Sequence, residues 1–240
     1  MKVAITRLKE KNENGSSAKI FDQFGYSVLL VPTIKSVEPK DTSSLDQLIS
    51  LTEKNEIDYL LFTSSLGVQY FFKRCRHLSK NVQILCVGPK TAIKVQEYGY
   101  NTDTLPSYAS EHFARYLEGK IDGKNIGIAR ANVPNKRLIT SLESMGGNVF
   151  EGICYELIPI NHNLEKMINN KEIDAVVFTS SKSFQCLDIS NIDLKSIITV
   201  SIGPKTANTM ISKGFSPDII GNGTLESCAT ALNDYDISKA

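Results

Sequence analysis

The sequence predicts an α/β protein of two similar parallel-sheet lobes, and three observations carry that expectation. Short apolar strands alternate with helical patterns along the whole chain, as in layered α/β proteins. One stretch occurs twice. Residues 58–92 read DYLLFTSS, a helix-like segment and ILCVGPKTA; residues 174–207 read DAVVFTSS, a similar gap and ITVSIGPKTA. The pattern also restarts mid-chain, where NIGIAR at 125–130 resembles VAITR at 3–7. A fixed internal period of this kind governs the architecture and is weighed before local detail.

The elements follow in order. Residues 2–6 are a β-branched apolar run, read as a buried strand ending at Thr6-Arg7. Residues 8–17 are a polar loop, and Ser16 or Ser17 is placed to cap a helix over about 17–24 that stops at Gly25. Residues 27–33 form a second strand. Pro32 and Pro39 then flank an extended segment, which reads as a connector and not as core sheet. A helix over 43–53 is followed by a strand at 59–62, a helix at 66–72 and a strand at 82–87. Pro89 then opens a helix that runs to about Tyr98 and stops at Gly99. Ser110 is read as the cap of a helix through Leu117, with Glu111 in its first turn. The second half repeats the plan. It has a strand at 125–130, a helix at 135–145, an extended run at 149–158, a helix at 164–168 and strands at 175–178 and 197–202. A helix from Pro204 ends at Gly214, a last helix covers 226–232, and a polar tail from Asn233 is expected to fray.

Spacing refines the plan. Arg7 to Arg130 is 123 residues, Phe62 to Phe178 is 116 and Gly88 to Gly203 is 115. The copies slip only at the proline-flanked connectors, near 31–42 and 152–161. Each copy is therefore a strand-helix-strand start and a larger remainder joined by an extended linker. Two packings satisfy this, each copy as its own lobe or the two exchanging their first parts, and the matched linkers favour exchange.

Composition excludes several classes. The chain has 240 residues, 41% hydrophobic and 22% charged, which is ordinary for a globular protein with one large or two modest domains. A net charge of +1 argues against nucleic acid as a partner. Five cysteines without a CxxC pair read as reduced thiols in the cytoplasm, and three scattered histidines do not suggest a zinc site. MKVAITRLKE has no signal-length apolar region, and no run approaches the length of a membrane span. The sequons at Asn14-Gly15-Ser16 and Asn222-Gly223-Thr224 read as turns.

The duplicated motifs carry the chemistry. Thr63-Ser64-Ser65 and Thr179-Ser180-Ser181 each end a buried strand and open a helix. Hydroxyls there cap free helix N–H groups, and the same edge, outside the carboxyl ends of parallel strands, is where open α/β sheets take ligands. In GPKTA, Gly88 and Gly203 let backbone N–H groups approach a ligand, the prolines start helices, and Thr91 and Thr206 sit in the first turns. Lys90 and Lys205 read first as solvated charges. Neither a GxxxxGK[ST] loop nor a GxGxxG fingerprint is present, which leaves a nucleotide-using enzyme without its phosphate loop. The copies are expected to face each other across a cleft suited to a ligand with several carboxylates.

Taken together, VAITR, FTSS at 62–65, VGPKTA at 87–92, PSYASE at 106–111, IGIAR at 126–130, Tyr155, FTSS at 178–181 and IGPKTA at 202–207 resemble the uroporphyrinogen-III synthase family over nearly the whole chain. The resemblance implies lobes of 1–33 plus 159–240 and of 38–153, each with the other half's first strand-helix, joined by a two-stranded linker. It implies no metal and no organic cofactor, and a cytoplasmic monomer with at most transient contact with the preceding pathway enzyme. Its substrate would be hydroxymethylbilane, a linear tetrapyrrole with eight carboxylates. Dehydrative closure would pass through an azafulvene and a spiro intermediate and invert ring D, so that the enzyme's main task is positioning. The family tyrosine maps to Tyr155, a candidate donor to the departing hydroxyl or else a strand aromatic at a lobe junction. Thr91, Thr206, Ser64 and Ser180 match family residues lining the substrate site. Arg7 and Arg130 end the opening strands, as ligand contacts or as structural ion-pair residues. The chain departs from the family after FTS, with Ser65-Leu66-Gly67 and Ser181-Lys182-Ser183 where a small residue and asparagine are common. The reading from a different class is a two-lobed cytosolic anion-binding or sensor protein without catalysis.

Overall fold

The computed structural model describes residues 1–9, 15–78, 81–106, 110 and 112–239. In chain order the first half contains β1 (Lys2–Leu8), α1 (Ser16–Asp22), β2 (Ser27–Val37), α2 (Ser43–Glu53), β3 (Tyr59–Phe62), α3 (Ser65–Phe72), β4 (Gln83–Cys86), α4 (Pro89–Glu97), β5 (Asp103–Thr104) and α5 (His112–Tyr116). The second half contains β6 (Asn125–Ala131), α6 (Lys136–Ser144), β7 (Asn148–Pro159), α7 (Leu164–Asn169), β8 (Ala175–Phe178), α8 (Ser181–Gln185), β9 (Ile198–Ser201), α9 (Pro204–Ser212), β10 (Ile219–Ile220) and α10 (Leu225–Lys239). Two 3₁₀ turns, Ile189–Asn191 and Leu194–Ser196, lead into β9.

The chain divides into two compact units, Met1–Ser36 with Leu157–Ala240, and Val37–Glu156. It passes from one to the other within β2 and within β7. The first unit carries strands in the order β10-β9-β8-β1-β2 and the second β7-β6-β3-β4-β5. The ladders within them are parallel, with β1 beside β8 and β6 beside β3. Each opening strand thus lies next to a strand of the other repeat.

Parallel strands covered by helices on both faces are apolar at every position, and this fixes the two cores. In the first unit Val3, Ile5, Ala175 and Val177 pack with Phe21 of α1 and Cys228, Ala229 and Leu232 of α10. The alternate residues Ala4, Val176 and Phe178 pack with Leu164, Met167 and Ile168 of α7, Phe184 of α8 and Met210 of α9. In the second unit Leu61, Leu85, Ile126 and Ile128 pack with Phe113 of α5 and Leu138 and Leu142 of α6. On its opposite face α2 lies so close that two glycines are required. A Cβ at Gly127 would stand 2.6 Å from Leu48 Cδ1, and one at Gly152 would stand 2.7 Å from Leu48 Cδ2. Ser44, at the start of α2, accepts the Ile153 N–H at 3.2 Å and ties the helix to β7.

Several local expectations are corrected. β2 runs through Pro32 to Val37, so the segment read as a connector is sheet; Pro32 stands opposite Arg7 of β1. The tail from Asn233 is helical, because Leu232 is fully buried and Tyr26 and Tyr235 donate to Asp236 and Asp218. Gly15 occupies the cap position of α1, while Ser17 Oγ accepts from Arg7 Nη1. Ser110 Oγ accepts from Asn135 Nδ2 at 3.0 Å and α5 is a single turn and a half; Glu111, residues 107–109 and Asn14 lie outside the described residues. Among the described residues no helix is long and apolar enough to cross a membrane.

Leu48 is completely buried. Leu48→Ala is expected to destabilise the protein by about 2–5 kcal/mol, as buried leucine truncations do. Urea denaturation checks this, and a loss below about 1 kcal/mol would show that α2 does not depend on this side chain.

Candidate active site

Both FTSS segments fold as their pattern requires. The strand ends, the chain stays extended for one residue, and a serine caps the next helix. Ser64 (φ −165°, ψ 154°) accepts the Gly67 N–H at 3.0 Å at the start of α3. Ser180 (φ −163°, ψ 155°) accepts the Ser183 N–H at 3.0 Å at the start of α8. The GPKTA segments are equally alike. Gly88 and Gly203 are fully extended, Pro89 and Pro204 begin α4 and α9, and the Thr91 and Thr206 N–H groups close on the glycine carbonyls at 3.0 and 3.1 Å. Thr91 and Thr206 are buried, whereas Lys90 and Lys205 are exposed.

The two repeats then diverge. In the unit 37–156 the Ser64 hydroxyl lies 3.0 Å from the Tyr155 phenol oxygen. Tyr155 stands opposite Ala131, just past a register shift after Arg130, and is only 6% exposed. Its ring stacks on Tyr70 of α3, with centroids 5.5 Å apart and planes inclined by 17°, and Lys73 Nζ sits 4.8 Å above the Tyr70 ring. The Tyr155 carbonyl accepts the Asn132 N–H at 2.8 Å. Thr63 Oγ1 donates to the Ala129 carbonyl at 3.4 Å.

In the other unit the matching register shift follows Arg7, and Ile34 occupies the place that Tyr155 holds in β7. Among the described residues no phenol meets the Ser180 hydroxyl; it lies 3.1 Å from Ser183 Oγ, and the two serines form a capping box. Thr6, fully buried, adds a third hydroxyl 3.3 Å from Ser183 Oγ and donates to the Val177 carbonyl at 3.2 Å. Thr179 Oγ1 donates to the Thr6 carbonyl. Ser181 Oγ donates to the Lys205 carbonyl at 3.3 Å and accepts from Thr209 at 2.9 Å. The expected hydroxyls are therefore gathered at one edge, but the hydroxyl groups of Thr179, Ser180 and Ser181 are engaged within it.

Arg130 is engaged too. Its Nε pairs with Glu151 on the adjacent strand, and its Nη1 donates to the carbonyls of Ala131 at 2.8 Å and Val133 at 3.1 Å. The guanidinium pins the turn that follows β6. Arg7 differs: its Nη1 donates to Ser17, and burial lowers its pKa. The four buried cysteines are held as thiols. Burial pushes the Cys75, Cys86 and Cys228 thiols up to about 11 and Cys154 to about 12.

Sequence reasoning missed Tyr70, Thr6 and Ser183. Aligning the repeats would have flagged the last two, since Thr6 and Ser183 stand where the other copy has Ala129 and Gly67. Tyr70 has no local signal, because its partner is 85 residues away in the chain. Also missed was a cavity of about 450 Å³ lined by His112 and Arg115 of α5 and Arg137 and Ser141 of α6. Arg115 and Arg137 have no carboxylate partner among the described residues.

Parallel strands that end in capped helix starts, with a phenol hydrogen-bonded at one of them, define an α/β protein of the kind that holds anionic ligands outside its strand ends. The chain belongs to the uroporphyrinogen-III synthase HemD family, whose model matches residues 16–227. These are lyase-class enzymes of porphyrin biosynthesis. A putative uroporphyrinogen-III synthase of Methanothermobacter thermautotrophicus is 27% identical over 234 residues, covering 89% of this chain and 90% of its own. The porphyrin biosynthesis protein HemD of Ruminiclostridium josui is 25% identical over 86% of this chain, which spans 43% of that longer protein. Solved uroporphyrinogen III synthases of Thermus thermophilus and Helicobacter pylori share the fold, each with TM-score 0.63 and 17% identity over the full length of both chains. These matches favour the enzyme over a non-catalytic anion-binding protein.

The engagement of Arg130 separates structure from ligand binding. Arg130→Ala is expected to lower stability by roughly 1.5–3 kcal/mol, the worth of a charge-assisted contact. Arg130→Ala/Glu151→Ala is expected to recover part of that loss, because no carboxylate is then left unpaired. Denaturation of the single and double variants checks both. Unchanged stability in Arg130→Ala, with weakened substrate binding, would return the residue to the ligand.

Proposed function

We propose that this chain closes hydroxymethylbilane to uroporphyrinogen III with loss of one water, and that Tyr155 assists departure of the ring A hydroxyl. The observation that carries the role of Tyr155 is its phenol, held 3.0 Å from the Ser64 hydroxyl at the carboxyl end of β3, in a chain matched by the family along residues 16–227. As the carbon–oxygen bond breaks, electrons from the pyrrole nitrogen form the azafulvene system and the hydroxyl takes the phenol's proton to leave as water. Ring D attacks through its substituted carbon, and a spiro intermediate forms and reopens. Reopening breaks the bond from that carbon to the methylene of ring C, and closure of this methylene on the unsubstituted α-carbon of ring D, across the ring nitrogen, releases the proton that restores the phenol. Substrate and product then differ by one water.

Binding in this reading falls to groups that grip carboxylates. They include the N–H groups opening α3, α4 and α9, the hydroxyls of Thr63, Ser65, Thr91 and Thr206, and Lys90 and Lys205. Arg115 and Arg137 add two full cations at the α5–α6 cavity. Gly88 and Gly203 place no side chain at the α4 and α9 starts. Each charge-assisted hydrogen bond contributes roughly 1.5–3 kcal/mol, so a few suffice without an excess of basic residues. Restricting a flexible substrate to one geometry is then the larger part of catalysis. The reading also takes the enzyme to be a cytoplasmic monomer.

The test is to generate hydroxymethylbilane in situ, add the protein, oxidise the products and resolve isomers I and III by chromatography. Isomer III is expected to dominate; isomer III no higher than in the spontaneous reaction would sink the proposal. Tyr155→Phe is expected to lower turnover by about 10²-fold, the lower range for proton transfer by a positioned side chain, while leaving measurable isomer III. Turnover equal to that of the unmodified protein would assign Tyr155 to packing.

A further inference from the structure

We propose that Ser64 is a positioning residue for Tyr155: it donates its hydroxyl hydrogen to the phenol oxygen and so leaves the phenol's own hydrogen directed at the ligand. The inference rests on the catalytic reading of Tyr155 given above. Ser64 Oγ already accepts the Gly67 N–H at 3.0 Å, so one of its lone pairs is committed to the cap. Its single hydrogen needs an acceptor, and the phenol oxygen lies at 3.0 Å. With that oxygen accepting from serine, the phenol hydrogen points elsewhere. Tyr70, stacked at 5.5 Å, holds the ring plane, so that the oxygen stays beside Ser64.

The second repeat is an internal control. Ser180 has the same backbone angles within 2° and caps its helix at the same 3.0 Å. It has no tyrosine to serve, because Ile34 fills the equivalent position. There its hydroxyl meets Ser183 Oγ at 3.1 Å, three residues on. In the tyrosine-bearing copy the residue three positions after the cap is Gly67, which offers no competing hydroxyl. The space is also tight, since a Cβ at Gly67 would lie 3.3 Å from Ser64 Oγ and 3.3 Å from the Ala129 carbonyl oxygen. Besides alanine for Thr6, two differences between the copies bear on the cap: glycine for serine frees the capping hydroxyl, and tyrosine for isoleucine uses it.

Four variants test this on the full chain, with kcat and KM for isomer III and circular dichroism as readouts. Glycine is tolerated at a helix cap nearly as well as serine, so Ser64→Gly is expected to fold. It should lower kcat about tenfold, the worth of one hydrogen bond in the transition state, with KM changed less than about twofold. Ser64→Thr, which keeps the hydroxyl, should restore the rate. The double variant Ser64→Gly/Tyr155→Phe should be no slower than Tyr155→Phe, since serine acts only through the phenol. Gly67→Ser recreates the arrangement of the other repeat and should slow kcat like Ser64→Gly without removing the cap. If Tyr155→Phe is impaired but Ser64→Gly keeps its full rate, or if the two losses multiply, the positioning role is wrong. If Ser64→Gly misfolds, Gly67→Ser decides alone: an unchanged kcat overturns the proposal. If Tyr155→Phe turns over like the unmodified protein, the catalytic reading of Tyr155 itself has failed.

Discussion

A parallel strand buried on both faces has nowhere to place a polar group except at its ends. Everything functional in this chain follows from that constraint. Along β3 and β8 each side chain is apolar and packed, and at the last residue the sequence switches to hydroxyls within one position. The helix that follows begins with N–H groups that have no partner in the helix. A serine must satisfy one of them, and the remainder are left at the carboxyl edge, where a ligand with negative charge is favoured by the helix dipole. A net charge of only +1 is therefore compatible with an anionic ligand, because oriented backbone groups attract negative charge without adding formal charge.

Duplication supplied two such edges, and divergence gave them different chemistry. The cap itself barely changed, as the near-identical angles of Ser64 and Ser180 attest. What changed is the set of neighbours. In one unit Thr6, Ser183 and Ser180 close into a hydroxyl cluster that satisfies itself. In the other, Ala129 and Gly67 remove two of those hydroxyls, and the phenol of Tyr155 enters from β7. The strand-ending arginines diverged in the same way. Arg7 reaches Ser17 on the helix after its own strand, and Arg130 locks onto Glu151 on the neighbouring strand and onto the turn behind β6. An element that repeats in sequence is thus constant where it obeys backbone physics and variable where it meets side chains.

That distinction explains what was legible in the sequence. The strands, the caps and the glycine-proline helix starts are local: pattern, hydroxyl and break lie within a few residues, so periodicity exposes them. The neighbours are not local. Ser64 and Tyr155 are 91 residues apart, and Tyr70 meets Tyr155 only because α3 packs beside β7. The two-residue strands β5 and β10 are too short to show a period. The last helix was read only to Leu232 because the order of its end comes from tertiary contacts, Leu232 in the core and tyrosine bonds to Asp218 and Asp236, and not from a marked amphipathic stripe. Pro32 misled for the opposite reason. It suggested a break, yet β2 continues through it to Val37, with Pro32 paired opposite Arg7 of β1.

The same reasoning bears on how much chemistry the fold must provide. A phenol held against a capping serine, with only 6% of its surface exposed, sits where the dielectric is low and hydrogen bonds are stronger than in water. One well-aimed donor there is worth more than several on the surface. Cys75, Cys86, Cys154 and Cys228, with thiols pushed up to about 11 or 12 by burial, stay protonated near neutral pH. For a substrate that closes spontaneously to the wrong isomer, a modest proton donor and many fixed contacts are a sufficient division of labour. In the proposed reaction, rate enhancement is limited by how narrowly the substrate is restricted, and the phenol decides only when water leaves.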